Sequence, residues 1–207
     1  FVVVWARRIT EYKRPWMAIR LANELKDMPI VFVLGGKTHP NDAAGVEYMK
    51  MFWKLHKEYP NVVYVPDYDV AKAKTILSSA HLLLFTPFSG LEACGTSYMK
   101  AAINGVPTLA SRDGGAIELI VDGVNGWLFG QDIRDVIDPM SPEASKINEQ
   151  EYSEFKAKLL KIYTMFKEEP ESYYDISLTA IRSFIYRVSM ARMLMEYYPD
   201  ILKTPIV

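Results

Sequence analysis

The chain has 207 residues, enough for one large domain or two small ones with an ordinary core. Half of them are apolar, about a quarter are charged and the formal net charge is -1, so no basic field points to nucleic acid or to an anionic membrane. Cys94 is the only cysteine, which excludes an internal disulfide and a Cys-rich metal site, and no segment reaches the apolar length of a membrane span. With no signal peptide visible, a cytoplasmic setting is expected.

The chain starts at Phe1, without methionine, directly in the strand-like run 1–5, which predicts a piece of a longer polypeptide. A helix is expected over 15–27, with Pro15 at its start and Met17, Ala18, Leu21 and Leu25 on one face. Strand 29–36 ends in a glycine pair. Helix 41–60 follows, with Asn41 or Asp42 as its cap. Strand 61–68, helix 69–80 and strand 81–86 come next. The short helix 96–105 is ended by Asn104 and Gly105, and strands 106–111 and 126–130 complete the set.

Continuous β-branched and leucine runs with helices between them predict an α/β fold. The expected form is a doubly wound, Rossmann-like parallel sheet covered on both faces. Such sheets bind ligands at the carboxyl ends of their strands, so the loops after Trp5, Leu34, Tyr64, Thr86 and Ser111 share one rim. Residues 1–130 are read as this domain, 131–150 as a loop and 151–207 as C-terminal helices, about 151–168 and 176–198.

Four groups on that rim have the chemistry of a site. Thr96 is a good N-cap, and free amides of Thr96, Ser97 and Tyr98 at a helix start favour an anion. Lys100 lies one turn further on the same face. A solvated lysine is the competing reading, weakened by the buried strands on either side. Glu92 sits at a strand end beside free amides, which suits sugar hydroxyls; taken without context, a surface glutamate is the preferred reading. Arg7, Arg8, Lys13 and Arg14 crowd the loop after the first strand, a pattern suited to phosphate. A solvated helix start accounts for Arg14 better than for Arg8. Residues 35–42, "GGKTHPND", look like a ligand loop but match neither a Walker A nor a GxGxxG pattern. His39, His56 and His81 have no metal-ligand spacing, and Cys94 reads as a small buried residue.

These segments, in this order, resemble the glycogen/α-glucan phosphorylase family. "RRITEYKR" is similar to its Lys-Arg-Ile-His-Glu-Tyr-Lys-Arg signature. "GGKTHPND" is similar to its Gly-Lys-Ala-His-Pro loop, and "VPDYDVAKA" to its Glu-Asn-Tyr-x-Val segment. "EACGTSYMKAAING" resembles the family's pyridoxal phosphate lysine motif, and residues 183–198 loosely resemble its closing helix.

The resemblance implies roles. Lys100 would form the Schiff base with pyridoxal 5'-phosphate. The amides of Thr96 and Ser97, with Arg7, would hold the cofactor phosphate, and Tyr68 would contact its ring. Arg8 and Lys13 would be the catalytic cations on the substrate phosphate. Glu92, with backbone of Ala93, Cys94 and Gly95, would hold the glucosyl hydroxyls. Arg7 stands where the family has lysine, Thr10 where it has histidine, Cys94 where it has serine, and Tyr98 where it has a small residue or asparagine. The implied protein is the C-terminal lobe of a two-lobed GT-B glycosyltransferase. It would move α-glucosyl units between phosphate and α-1,4-glucan, releasing glucose 1-phosphate, and its partner would be the N-terminal lobe of the same polypeptide; a homo-oligomer is compatible with this. Residues 105–130 are also similar to nucleotide-sugar glycosyltransferases such as glycogen synthase. A lobe of such an enzyme, or a noncatalytic sugar-phosphate-binding module, therefore stays open as an alternative.

Overall fold

The computed structural model describes residues 1–133, 135, 137, 138 and 141–200. Six strands form one parallel sheet: β1 (Val2–Ala6), β2 (Val31–Gly35), β3 (Val62–Val65), β4 (Leu82–Phe85), β5 (Thr108–Ser111) and β6 (Trp127–Phe129). Their order across the sheet is β3-β2-β1-β4-β5-β6. The chain winds outward one way from β1 and then the other way from β4. The crevice between these two strands, at their carboxyl ends, is the topological switch point of a doubly wound fold.

Side chains alternate along each strand, and each face builds its own core. Val3 and Trp5 of β1, Leu82 and Leu84 of β4 and Phe129 of β6 point to one face. Against them pack α1 (Pro15–Glu24), α2 (Ala43–Glu58) and α6 (Pro142–Glu168), which contribute Met17, Leu21, Phe52 and Phe155. Val4, Ala6, Leu83, Phe85 and Leu128 point to the other face. That face is covered by α3 (Val70–Ser78), α4 (Ser97–Ala102), α5 (Gly115–Leu119) and α7 (Pro170–Arg187). Burial on both faces is why the inner strands read as unbroken apolar runs.

The caps account for several boundaries. Asp42, not Asn41, caps α2 by accepting from the Gly45 amide. The expected loop 131–150 is too long: α6 starts at Pro142, because Ser141 accepts from Ala144 N, Pro142 fills the first helical position and Glu143 adds an acid to the first turn. The expected closing helix 176–198 is two helices. Pro170 starts α7 early, and Ser189 turns extended and caps α8 (Met190–Tyr197). Of the closing apolar positions, Phe184 is buried, whereas Ile185, Met195 and Tyr198 are exposed. Residues 201–207, part of the expected C-terminal unit, lie outside the described residues. Among the described residues no helix is long and apolar enough to cross a membrane.

Candidate functional site

Two loops meet at the switch point. The loop after β1 passes through a short 3-10 helix (Glu11–Lys13), and the loop after β4 runs to α4. Trp5 Nε1 donates to Thr86 Oγ1 (2.9 Å), and that hydroxyl donates to the Lys13 carbonyl (2.8 Å). The Phe88 amide donates to the Tyr12 carbonyl (2.7 Å). Arg14 completes the joint. It is 2% exposed, in the left-handed region (φ 49°), and its guanidinium donates to the carbonyls of Thr86 and Pro87 and to Asn148 and Glu151 of α6. The expectation of a solvated Arg14 is therefore corrected: it is a buried clamp, and Arg8 is the exposed member of the cluster.

These loops enclose a cavity of about 260 Å³. Arg7, Lys13, Tyr68, Glu92, Cys94, Gly95, Thr96, Ser97 and Lys100 line it, so the structure brings together most of the residues singled out from the sequence. Two lie elsewhere. Arg8 lines a neighbouring cavity with Lys37, Thr38, His39 and Pro40, which shares Tyr68 with the first. Ala93 lines a third with Asp113 and Gly114, which shares Glu92.

Arg7 is 7% exposed. Its Nη2 donates to Ser97 Oγ (3.0 Å), and its guanidinium lies 4.0 Å from the centre of the Phe85 ring. Its Nε and Nη1 are buried with no hydrogen-bond partner among the described residues. Burial lowers the guanidinium to about 10, against the opposing pull of Glu92, so it stays charged at neutral pH. Buried donors without acceptors are costly. Lys100 is exposed and its ammonium has no partner among the described residues.

Helix α4 has six residues rather than the ten expected, and Thr96 precedes it without a side-chain cap bond. The first-turn amides remain without helical acceptors, but the fixed positive charge is that of Arg7. Gly95 is required by packing, since a Cβ there would stand 2.4 Å from the Phe85 ring. Tyr98 does not enter the cavity. It is fully buried, edge-on to Phe85 and Phe184, with its hydroxyl 3.8 Å from Cys94 Sγ. Cys94 itself is exposed, which corrects the expectation of a buried residue.

Glu92 and Lys13, expected on different parts of a substrate, meet as an ion pair at 2.5 Å. Tyr12 also donates to Glu92, at 3.4 Å. Sequence reasoning missed Asp113, which is 3% exposed and accepts from the amides of Gly90 and Glu92. The only signal was its place before a glycine pair. The ring nitrogens of the three histidines contact backbone, locally for His39 and His56 and on the Val2 amide for His81, and no cluster of metal-ligating side chains occurs among the described residues.

An open parallel sheet with cations and a carboxylate at its switch point defines a ligand-binding α/β lobe. A family model described as carbohydrate phosphorylase matches residues 2–186, and the chain belongs to that family. Maltodextrin phosphorylase of Thermococcus litoralis is 30% identical over 95% of this chain and 24% of its own length. Glycogen phosphorylase of Aquifex aeolicus is 32% identical over 97% of this chain and 30% of its own. The chain thus spans 24% and 30% of these two curated relatives. The crystal structure of Anabaena HepE in complex with UDP and glucose shares the fold, with a TM-score of 0.67 at 20% identity, over 99% of this chain and 48% of that one.

Proposed function

We propose that this chain is the cofactor-bearing lobe of an α-glucan phosphorylase. The enzyme transfers an α-glucosyl unit between orthophosphate and the end of an α-1,4-glucan. The observation that carries the reading is one cavity holding both Arg7, with two buried unpartnered donors, and Lys100, with a free ammonium. A molecule with an anionic end for Arg7 and a carbonyl for Lys100 suits that pair, and pyridoxal phosphate has both.

Lys100 anchors the cofactor, Arg7 and the amides of Thr96 and Ser97 hold its phosphate, and Tyr68 flanks its ring. When bound, the cofactor would supply a phosphate group for proton transfer with the substrate phosphate. Lys13 and Arg8 hold the substrate phosphate, Arg8 from the adjoining cavity that shares Tyr68. Glu92 and the backbone of Ala93, Cys94 and Gly95 take the glucosyl hydroxyls. Fixed cations on both phosphates lower the cost of bringing two anions together. Closure by a second lobe excludes water, so that transfer outruns hydrolysis.

Borohydride reduction of the intact protein tests this reading. Pyridoxal phosphate should become fixed to the peptide carrying Lys100. A protein that lacks the cofactor chromophore and cannot be reconstituted belongs instead with nucleotide-sugar transferases, which have no use for that lysine.

A further inference from the structure

The segment Asp113–Gly114–Gly115 is the part of the rim to which the reading above assigns nothing. It follows β5, yet its contacts are with the loop after β4. The Gly90 amide donates to Asp113 Oδ1 and the Glu92 amide to Oδ2, each at 2.8 Å. Two residues on, the Gly115 amide donates to the Ala93 carbonyl at 3.1 Å. Gly114 lets the two backbones touch: its φ is +46°, and a Cβ would stand 2.0 Å from the Glu92 carbonyl oxygen and 2.4 Å from that of Ala93. The strip 90–93 therefore lies on a saddle made by three consecutive residues. The Ser89 hydroxyl donates to the Arg112 carbonyl (2.7 Å) and ties down the start of the strip.

The charge of Asp113 matters here. No Lys or Arg forms an ion pair with it among the described residues, and its acceptor oxygens face backbone N–H groups of the strip. A carboxylate is the one side chain of this size that accepts on both oxygens. An asparagine must turn its NH₂ toward one of the two amides, donor against donor. The two bonds are also what places the Glu92 side chain, because they pin the Glu92 backbone on one side while Lys13 takes its carboxylate on the other.

We propose that Asp113 is a positioning residue for recognition of the glucosyl group: through the amides of Gly90 and Glu92 it sets where the Glu92 carboxylate and the backbone of 93–95 meet the sugar. The inference rests on the phosphorylase reading. It makes the effect of Asp113 larger on the sugar than on phosphate: Arg8 and Lys13, the cations assigned to phosphate, sit on the loop after β1, and only Lys13 is tied to the strip, through its ion pair with Glu92.

The test is Asp113→Asn in the intact protein, with Asp113→Ser as a second variant that keeps one acceptor in less volume. Glucose 1-phosphate KM should rise about tenfold or more, while orthophosphate KM in phosphorolysis, coupled to the strip only through Lys13, changes by a several-fold smaller factor. Amide exchange at Gly90 and Glu92 should quicken by a similar factor. A merely structural role would raise both KM values together and lower the melting temperature, and that outcome overturns the proposal. So does unchanged glucose 1-phosphate KM in both variants. If Asp113→Asn does not fold, Asp113→Ser decides. A wild-type protein with no phosphorolysis sinks the functional reading instead; the exchange rates then report on the saddle alone, and unchanged rates at Gly90 and Glu92 overturn the grip assigned to Asp113.

Discussion

Lys13 and Glu92 face each other at the switch point, Nζ 2.5 Å from Oε2, with side chains only 10% and 13% exposed. Each is the other's counter-ion, so a ligand that takes one must compete with its partner. Glu92→Gln removes the competitor for Lys13. Orthophosphate should then bind more tightly, by roughly tenfold for one charge-assisted contact, while glucose 1-phosphate loses its sugar contact. Calorimetric titration of the intact protein measures both. Weaker orthophosphate binding in the variant would show that Lys13 is not an anion ligand.

Arg7 gives a second prediction. Its guanidinium lines the cavity, and its Nε and Nη1 are buried and unpartnered among the described residues. Arg7→Met should lower affinity for the phosphate end of the cofactor by about tenfold to a hundredfold, and millimolar phosphate should no longer raise the melting temperature. An equal rise in variant and wild type would place the anion elsewhere.

Arg14 and Glu151 are 2% and 4% exposed and pair at 2.5 Å, joining the rim to α6. Removing one partner strands the other as a buried charge. Arg14→Ala should cost about 3–5 kcal/mol in urea unfolding, and Arg14→Met with Glu151→Leu should cost less than that single change. A double variant worse than Arg14→Ala contradicts this account.

Acid sensitivity has an assignable contributor. Glu24 on α1 loses some water contact, which pushes its carboxyl up, but hydrogen bonds from Lys156, Arg20 and Tyr152 prevail and hold it at about 2 rather than the ordinary 4.5. A depressed carboxylate stabilises the fold fully above pH 4.5 and loses that contribution as pH falls toward 2. The stability gap between wild type and Glu24→Gln should therefore be widest near neutrality and close across that window. Urea midpoints at several pH values read the gap.

The last helices leave Ile185, Tyr186, Met190 and Tyr197 at 58%, 65%, 64% and 75% exposure. Apolar surface of that kind calls for a cover. The isolated 207-residue chain should self-associate by light scattering, less so with Met190→Ser and Tyr197→Ser, and form no glucose 1-phosphate from glucan and phosphate. Robust phosphorolysis by this chain alone would show that one rim suffices.

Periodicity alone determined the sheet and its carboxyl-end rim. Strands such as "VVVWA" and "LLLF" are buried on both faces, and a chain that alternates them with amphipathic helices has few other ways to cover them. Most of the residues that line the cavity were legible too, because the motifs carrying Arg7, Lys13, Glu92 and Lys100 are local strings on that rim. Contacts between distant segments were not. The burial of Arg14 depends on Glu151, 137 positions away, and the role of Asp113 on amides 21 and 23 positions away. A charged residue looks the same in sequence whether it faces water or a partner. Only the tertiary structure decides which, because desolvation and the matching donor or acceptor come from segments that folding brings together.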